Sequence, residues 1–168
     1  MIKIKDFIDS TLLEEGIADA RYVGSPFEEL KKLPPKQKGK RMELIVKSIF
    51  AKLGFLVEEP LSSDHDAIIA RRLCELKGST MVSTLTKPTF SFLQIRPLQE
   101  YDKIIFSMFY PSQLMLMEMS KKDVLKCVEN NVFKKQHEGK NSEGGTYCYY
   151  GNEKTLESVG ASHIITLD

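Results

Sequence analysis

Between Met42 and Leu53 the apolar residues Met42, Ile45, Val46, Ile49, Phe50 and Leu53 recur at spacings of three and four. That period lines one face of an α-helix, and Gly54 supplies a natural end for it. Ile8, Leu12, Leu13 and Ile17 repeat the pattern between Ile4 and Ala20, with acids interleaved, which predicts an amphipathic helix there. Between the two, Gly24-Ser25-Pro26-Phe27 predicts a turn into a short helix. The run from Leu33 to Arg41 carries Pro34 and Pro35 and then Lys36, Lys38, Lys40 and Arg41, and is expected to be a basic linker that is not helical at its start.

Beyond Gly54 the period changes from helical to extended. Phe55 to Glu59 is a candidate strand, Asp66 to Ile69 another, and Leu73 to Lys77 alternates so that Cys74 and Leu76 point to one side while Glu75 and Lys77 point to the other. Ala70-Arg71-Arg72 is about the length of a hairpin connection between the last two. Gly78 to Thr84 is small and hydroxyl-rich, either a strand continuation or a place where backbone amides and hydroxyls pass a phosphate. Phe90 to Ile95 reads as helix or strand. Ile104 to Tyr110 is a near-continuous apolar run of the kind a central strand carries when both its faces are covered, and Leu114 to Met119 predicts another strand. Ser120-Lys121-Lys122-Asp123 has the form of a helix N-cap, opening a helix through Val128. From Lys134 to Gly151 the chain is polar, glycine-punctuated and hard to pack, as in a flexible hairpin loop. A sheet flanked by helices, hence an α/β fold, follows from this sequence of elements.

Composition narrows the class. A chain of 168 residues with 42 % hydrophobic and 28 % charged residues is long enough to bury a core and is expected to form one domain. A net charge of +1 does not by itself mark a nucleic-acid binder, so any such role must rest on local clustering of basic residues. The 3 cysteines, Cys74, Cys127 and Cys148, are odd in number and far apart, which argues against a disulfide framework and a zinc knuckle. His137 has no second His or Cys at ligand spacing. The absence of a long apolar segment points away from a membrane, and the cysteine usage leads us to expect a cytoplasmic protein.

The chemistry concentrates in Asp66 and in Glu75-Leu76-Lys77. If the hairpin forms, Asp66 arrives beside Glu75, and Glu75 and Lys77 share one face of a strand. Two carboxylates at close range raise each other's pKa unless a cation lies between them. Mg²⁺ suits such a pair, since it takes oxygen ligands and keeps several waters, and the backbone carbonyl of Leu76 is a plausible third protein donor. Lys77 would then assist a water nucleophile, neutralise a phosphate oxygen or serve as a general base. This is the pattern of a nuclease metal site.

Four pieces of the chain resemble the PD-(D/E)XK nuclease superfamily, and within it type II restriction endonucleases and the mismatch-repair nicking enzyme MutH. They are Gly39-Lys40-Arg41-Met42-Glu43-Leu44-Ile45-Val46, Asp64-His65-Asp66-Ala67-Ile68-Ile69, Glu75-Leu76-Lys77-Gly78-Ser79 and Phe92-Leu93-Gln94-Ile95-Arg96-Pro97. The resemblance implies a restriction-endonuclease-like central mixed sheet flanked by helices. It carries the metal-binding Asp onto Asp66, the second acid onto Glu75, the lysine onto Lys77 and a helical glutamate of some members onto Glu43. The proline that often precedes the first acid is absent, because Asp64 and His65 stand there, so Asp64 rivals Asp66. On this view residues 1–38 are an N-terminal helical segment, 39–111 the catalytic core and 112–168 C-terminal strands, a helix and a DNA-contacting loop.

The activity so implied is Mg²⁺-dependent hydrolysis of phosphodiesters in double-stranded DNA, with Mn²⁺ able to substitute, in a type II restriction endonuclease; a homodimer is the simplest way to cut both strands of a palindrome, with a monomer that nicks as the alternative. Lys40, Arg41, Ser79, Gln94, Arg96, Gln136, His137, Lys140 and Asn141 are the candidate DNA contacts. Two alternatives stand beside it: a structure-specific or nicking nuclease of repair or phage DNA processing, and a noncatalytic nucleic-acid-binding module. The intact Asp66, Glu75 and Lys77 set weighs against the last.

Overall fold

The computed structural model describes residues 20–82, 87–137 and 145–168, with backbone alone for His137. The helix expected over Ile4 to Ala20 therefore lies outside the described residues, except for Ala20, which opens a single 3₁₀ turn, Ala20–Tyr22. The Tyr22 hydroxyl donates to the carbonyl of Phe109 (2.6 Å) and accepts from the amide of Met81 (2.8 Å), anchoring this turn to the core.

A short helix α1, Glu28–Lys32, leads into α2, Pro35–Lys52. The expected basic linker is thus reduced to Leu33-Pro34. Pro35 sits at the start of α2, where its missing N–H has no intrahelical partner to lose and its fixed φ suits a helix, so Lys36, Lys38, Lys40 and Arg41 are helical. Met42, Val46 and Phe50 are the buried stripe, one turn apart, and Gly54 follows the helix with a left-handed φ of +88°.

Strands β1 (Val57–Glu58), β2 (Ala67–Ile69), β3 (Arg72–Thr80), β5 (Lys103–Phe109), β6 (Leu114–Ser120) and β9 (Ser162–Leu167) form a six-stranded sheet in the order β1-β2-β3-β5-β6-β9. β3 and β5 are parallel and every other neighbouring pair is antiparallel. The fold is therefore mixed α/β, a mixed sheet flanked by a few helices. The predicted strand at Phe55 to Glu59 contracts to Val57–Glu58, and the hydroxyl-rich Gly78 to Thr80 continues β3; Ser83 and Thr84 lie outside the described residues.

The strands β4 (Phe90–Ile95), β8 (Thr146–Gly151) and β7 (Lys134–His137) form a second antiparallel sheet in the order β4-β8-β7. Sequence patterning missed it: the polar stretch from Lys134 was expected to be loop, whereas both its ends are strands that pack through Cys148 and Tyr149. Helices α3 (Lys121–Glu129) and α4 (Glu153–Glu157) complete the chain. Ser120 caps α3 by accepting from the amide of Asp123 (3.2 Å), as its sequence predicts.

Two apolar clusters lie on the two faces of the large sheet. One joins Met42, Val46 and Phe50 of α2 to Cys74, Leu76, Ile105 and Phe109. The other joins Ile104, Phe106 and Met108 to Phe90, Phe92, Ile95 and Tyr149 of the small sheet and to Val124 of α3. Gly78 sets the spacing of α2 against β3: a Cβ there would stand 2.6 Å from the Met42 Sδ and 2.8 Å from its Cβ, so any larger residue pushes the helix off the sheet.

Candidate active site

The β2–β3 hairpin builds the site. Its turn is the pair Ala70-Arg71, both left-handed at φ +50° and +64°, which is the backbone of a tight two-residue hairpin loop made without glycine or asparagine. The turn puts Ala67 opposite Cys74, and the amide of Asp66 extends the ladder by donating to the Cys74 carbonyl (2.9 Å). The Asp66 carboxylate then accepts from the amide of Leu76 through Oδ2 (2.7 Å). Asp66 is thereby held against the edge of β3, immediately before β2 begins. In an extended strand the N–H and C=O of one residue point to the same side. The Leu76 carbonyl therefore faces the edge that Asp66 occupies.

Glu75 and Lys77 share the opposite face from Cys74 and Leu76, as their alternation predicts; in the parallel ladder Glu75 lies beside Ile104 and Lys77 beside Phe106. The Lys77 Nζ is 2.7 Å from Glu75 Oε1, and both side chains are largely withdrawn from water. Burial, reinforced by the charge of Asp66 and opposed by Lys77, pushes the Glu75 carboxyl up to about 7. Glu43, half-buried on α2, is also raised, first by burial and then by Asp66, while Lys47, Lys77 and Lys40 pull it down. Asp66 and Lys77 are thus within electrostatic reach of both Glu43 and Glu75.

This donor set suits a hard divalent ion. Two converging carboxylates and an edge-facing carbonyl match the small protein share that Mg²⁺ takes when it keeps waters. Among the described residues no three His, Cys, Asp or Glu side chains form a ready-made cage, so Glu43 is not part of a preformed three-acid set. Between the rival acids the geometry favours Asp66. The Asp64 Oδ2 instead accepts from the amide of Glu100 (3.4 Å), and His65 between them is buried, accepting from the Leu61 amide through Nε2 (3.3 Å).

The candidate DNA contacts fare unevenly. Ser79 is buried, and its hydroxyl accepts from the amide of Ser91 (2.9 Å) and donates to the Thr80 carbonyl (2.8 Å), so it is spent inside the protein and is not a surface phosphate contact. Lys40 is exposed near Glu43, whereas Arg41 lines a shallow groove with Leu44, Ile45, Ser48, Ile49 and Lys52 on another side of α2. In a regular extended segment Gln94 and Arg96 would share a face. A bulge between Phe92 and Ile95 breaks that alternation, with Gln94 at φ +54°, exposed, its amide donating to Oε1 of Gln136 (3.0 Å), while Arg96 is partly buried beyond the strand end. The side chain of His137, and Lys140 and Asn141, lie outside the described residues.

One wall of the site was not legible in the sequence. Tyr101 precedes β5 and is 5 % exposed, with the ammonium of Lys121 3.8 Å from its ring centroid. Lys121 also donates to the carbonyl of Gln99, and the Gln99 side chain reaches the carbonyl of Ser63 (3.4 Å). The charge of Glu75 acts on both Tyr101 and Lys121. No short-range pattern marks these residues, because the segments that carry them meet only after the sheet has formed. A polar cavity of about 360 Å³ lined by Arg72, Asp102, Lys103, Glu118, Ser120, Asp123, Gly160 and Ser162 shares none of the candidate catalytic residues.

No family model matches the chain, and comparison with curated proteins and with solved structures found no match either. Among the described residues no helix is long and apolar enough to cross a membrane.

Proposed function

We propose that the protein is a metal-dependent DNA endonuclease of the PD-(D/E)XK kind, with a type II restriction endonuclease as the form of that activity the chain resembles most. The observation that carries the reading is the convergence of Asp66, Glu75 and Lys77 on one hairpin, with the Asp66 carboxylate pinned to the Leu76 amide and the Glu75 carboxyl raised by burial and by Asp66. Two carboxylates held this close disfavour each other's charged form, and a divalent cation between them relieves that penalty. The strand order, with a hairpin feeding a central strand parallel to β5, is compatible with a restriction-endonuclease-like core.

Asp66, Glu75 and the Leu76 carbonyl would hold Mg²⁺, or Mn²⁺ in its place. The ion would supply a positive charge for the developing oxyanion and lower the pKa of a nearby water. The chain's own residues do the rest. Lys77, freed from Glu75 once that carboxylate has another counter-charge, offers its ammonium to a phosphate oxygen or to the attacking water. Glu43 adds a third acid within reach of Asp66, its carboxyl raised by burial and by the Asp66 charge. Lys40 meets the DNA backbone beside it. A two-fold pair of chains would bring one such site to each strand of a palindrome.

The test is incubation of the purified protein with supercoiled plasmid and unmethylated phage DNA in Mg²⁺, Mn²⁺ or EDTA, beside Lys77→Ala. Metal-dependent cutting that disappears in the variant while DNA affinity persists supports the nuclease. Discrete fragments indicate sequence recognition, and preference for branched, mismatched or single-stranded DNA indicates a structure-specific or nicking enzyme. No cutting under any condition overturns the reading in favour of a binding module.

A further inference from the structure

The Tyr101 hydroxyl is out of solvent contact and has no hydrogen-bond partner among the described residues. Buried phenols nearly always find one, so an orphan of this kind asks for a group that occupies the place only in another state of the molecule. Its position is firmly set. The amide of Asp102 donates to the Leu73 carbonyl (2.8 Å), and the Asp102 carboxylate accepts from the Leu73 amide (2.8 Å), clamping the start of β5 to β3. In the ladder that follows, Glu75 is beside Ile104. From the other side Lys121 caps the phenol ring and bonds to Gln99, while Gln99 and Glu100 are tied to Ser63 and Asp64. The ring is therefore fixed between the loop that delivers Asp66 and the strand that carries Glu75.

The oxygen lies inside the protein, so the acceptor to look for is a side chain that packs beside it. Glu75 is the acidic acceptor whose charge acts on the phenol. Its carboxylate is paired with the Lys77 ammonium (2.7 Å). We propose that Tyr101 is a positioning residue for Glu75: when a divalent cation binds at Asp66 and Glu75, the Tyr101 hydroxyl donates a hydrogen bond to the Glu75 carboxylate and holds it toward the ion. The inference rests on the metal-site reading above and adds a residue from outside the hairpin to it. Partners of this sort behind a metal ligand are typically worth ten- to a hundredfold in metal affinity or activity.

The experiment is Mn²⁺ binding to the DNA-free protein, followed by the loss of the free-ion EPR signal, for wild type and Tyr101→Phe, with thermal unfolding of both in EDTA. Phenylalanine keeps the ring under Lys121 and removes only the orphan oxygen. The expected result is Mn²⁺ affinity weakened about tenfold in Tyr101→Phe, with unfolding in EDTA unchanged or at higher temperature and cleavage recovered at higher Mn²⁺. A tyrosine that served packing alone would gain stability in the same way but leave Mn²⁺ affinity within twofold of wild type, and that result overturns the proposal while leaving the metal site intact. Wild-type protein that binds no Mn²⁺ overturns both.

Discussion

At Glu75 a buried carboxyl is kept near the edge of ionisation by the balance of burial and Asp66 against Lys77. Its folded-state pKa, about 7, lies above that of an unfolded glutamate, so between roughly pH 4.5 and 7 the folded protein binds the extra proton. The contribution of this group to stability is thus present at low pH and lost as pH rises through 7. Urea unfolding in EDTA should show Glu75→Gln gaining stability relative to wild type at pH 8, on the order of 1–2 kcal/mol, and little or none at pH 5. The same substitution should abolish cleavage, a trade of stability for function at one side chain. The neighbouring acids separate by an equally simple measurement. Asp66→Asn should lower Mg²⁺-dependent cleavage by orders of magnitude, while Asp64→Asn, whose carboxylate serves the Glu100 amide, should leave most of it; the reverse ranking would transfer the ligand role to Asp64.

The hairpin is the element on which the site depends, and it carries local strain. Ala70 and Arg71 occupy left-handed backbone that costs a residue with a Cβ about 1–2 kcal/mol, in a turn that asparagine and glycine form readily. Replacing the pair by Asn-Gly should raise stability by about 1 kcal/mol in chemical denaturation and leave cleavage intact, because Asp66 and Glu75 keep their register. A loss of activity with gained stability would instead mean that the tight turn is tuned to the site. At the same scale the gap between expectation and structure is physical. Alternation in Leu73 to Lys77 and the three-four spacing of α2 are local periodicities that burial enforces, so they were legible. The bulge at Gln94 was not, because the pairing of β4 with β8 decides it, and Ser79 was misjudged because its hydroxyl is satisfied by the backbone of β4.

Across the whole molecule the site is a product of folding. Asp66 is fixed beside Glu75, with Glu43 in electrostatic reach of Asp66, only when the hairpin, β5 and α2 are assembled on the large sheet, so an unfolded chain offers a divalent ion no comparable arrangement. Binding to the folded state alone stabilises it, by about 2.7 kcal/mol at an ion concentration a hundred times the dissociation constant. Mn²⁺ should therefore raise the thermal midpoint of the wild-type protein in a concentration-dependent way and should not do so in Asp66→Asn. An equal shift in that variant would place the bound ion elsewhere.

By itself the amino-acid order determined the α2 stripe, the apolar β5, the cap of α3 and the pairing of Glu75 with Lys77 on one strand face. These are properties of residues close in sequence, read through the periods of helix and strand. Tertiary structure alone decided that Asp66, not Asp64, bonds the Leu76 amide, that Lys36 to Arg41 extend a helix begun by Pro35, that a second sheet covers the face bearing Glu75, and that Tyr101 and Lys121 wall the site. Each of these depends on which distant segments share a ladder or a core, and no local pattern encodes the register between strands far apart in the chain.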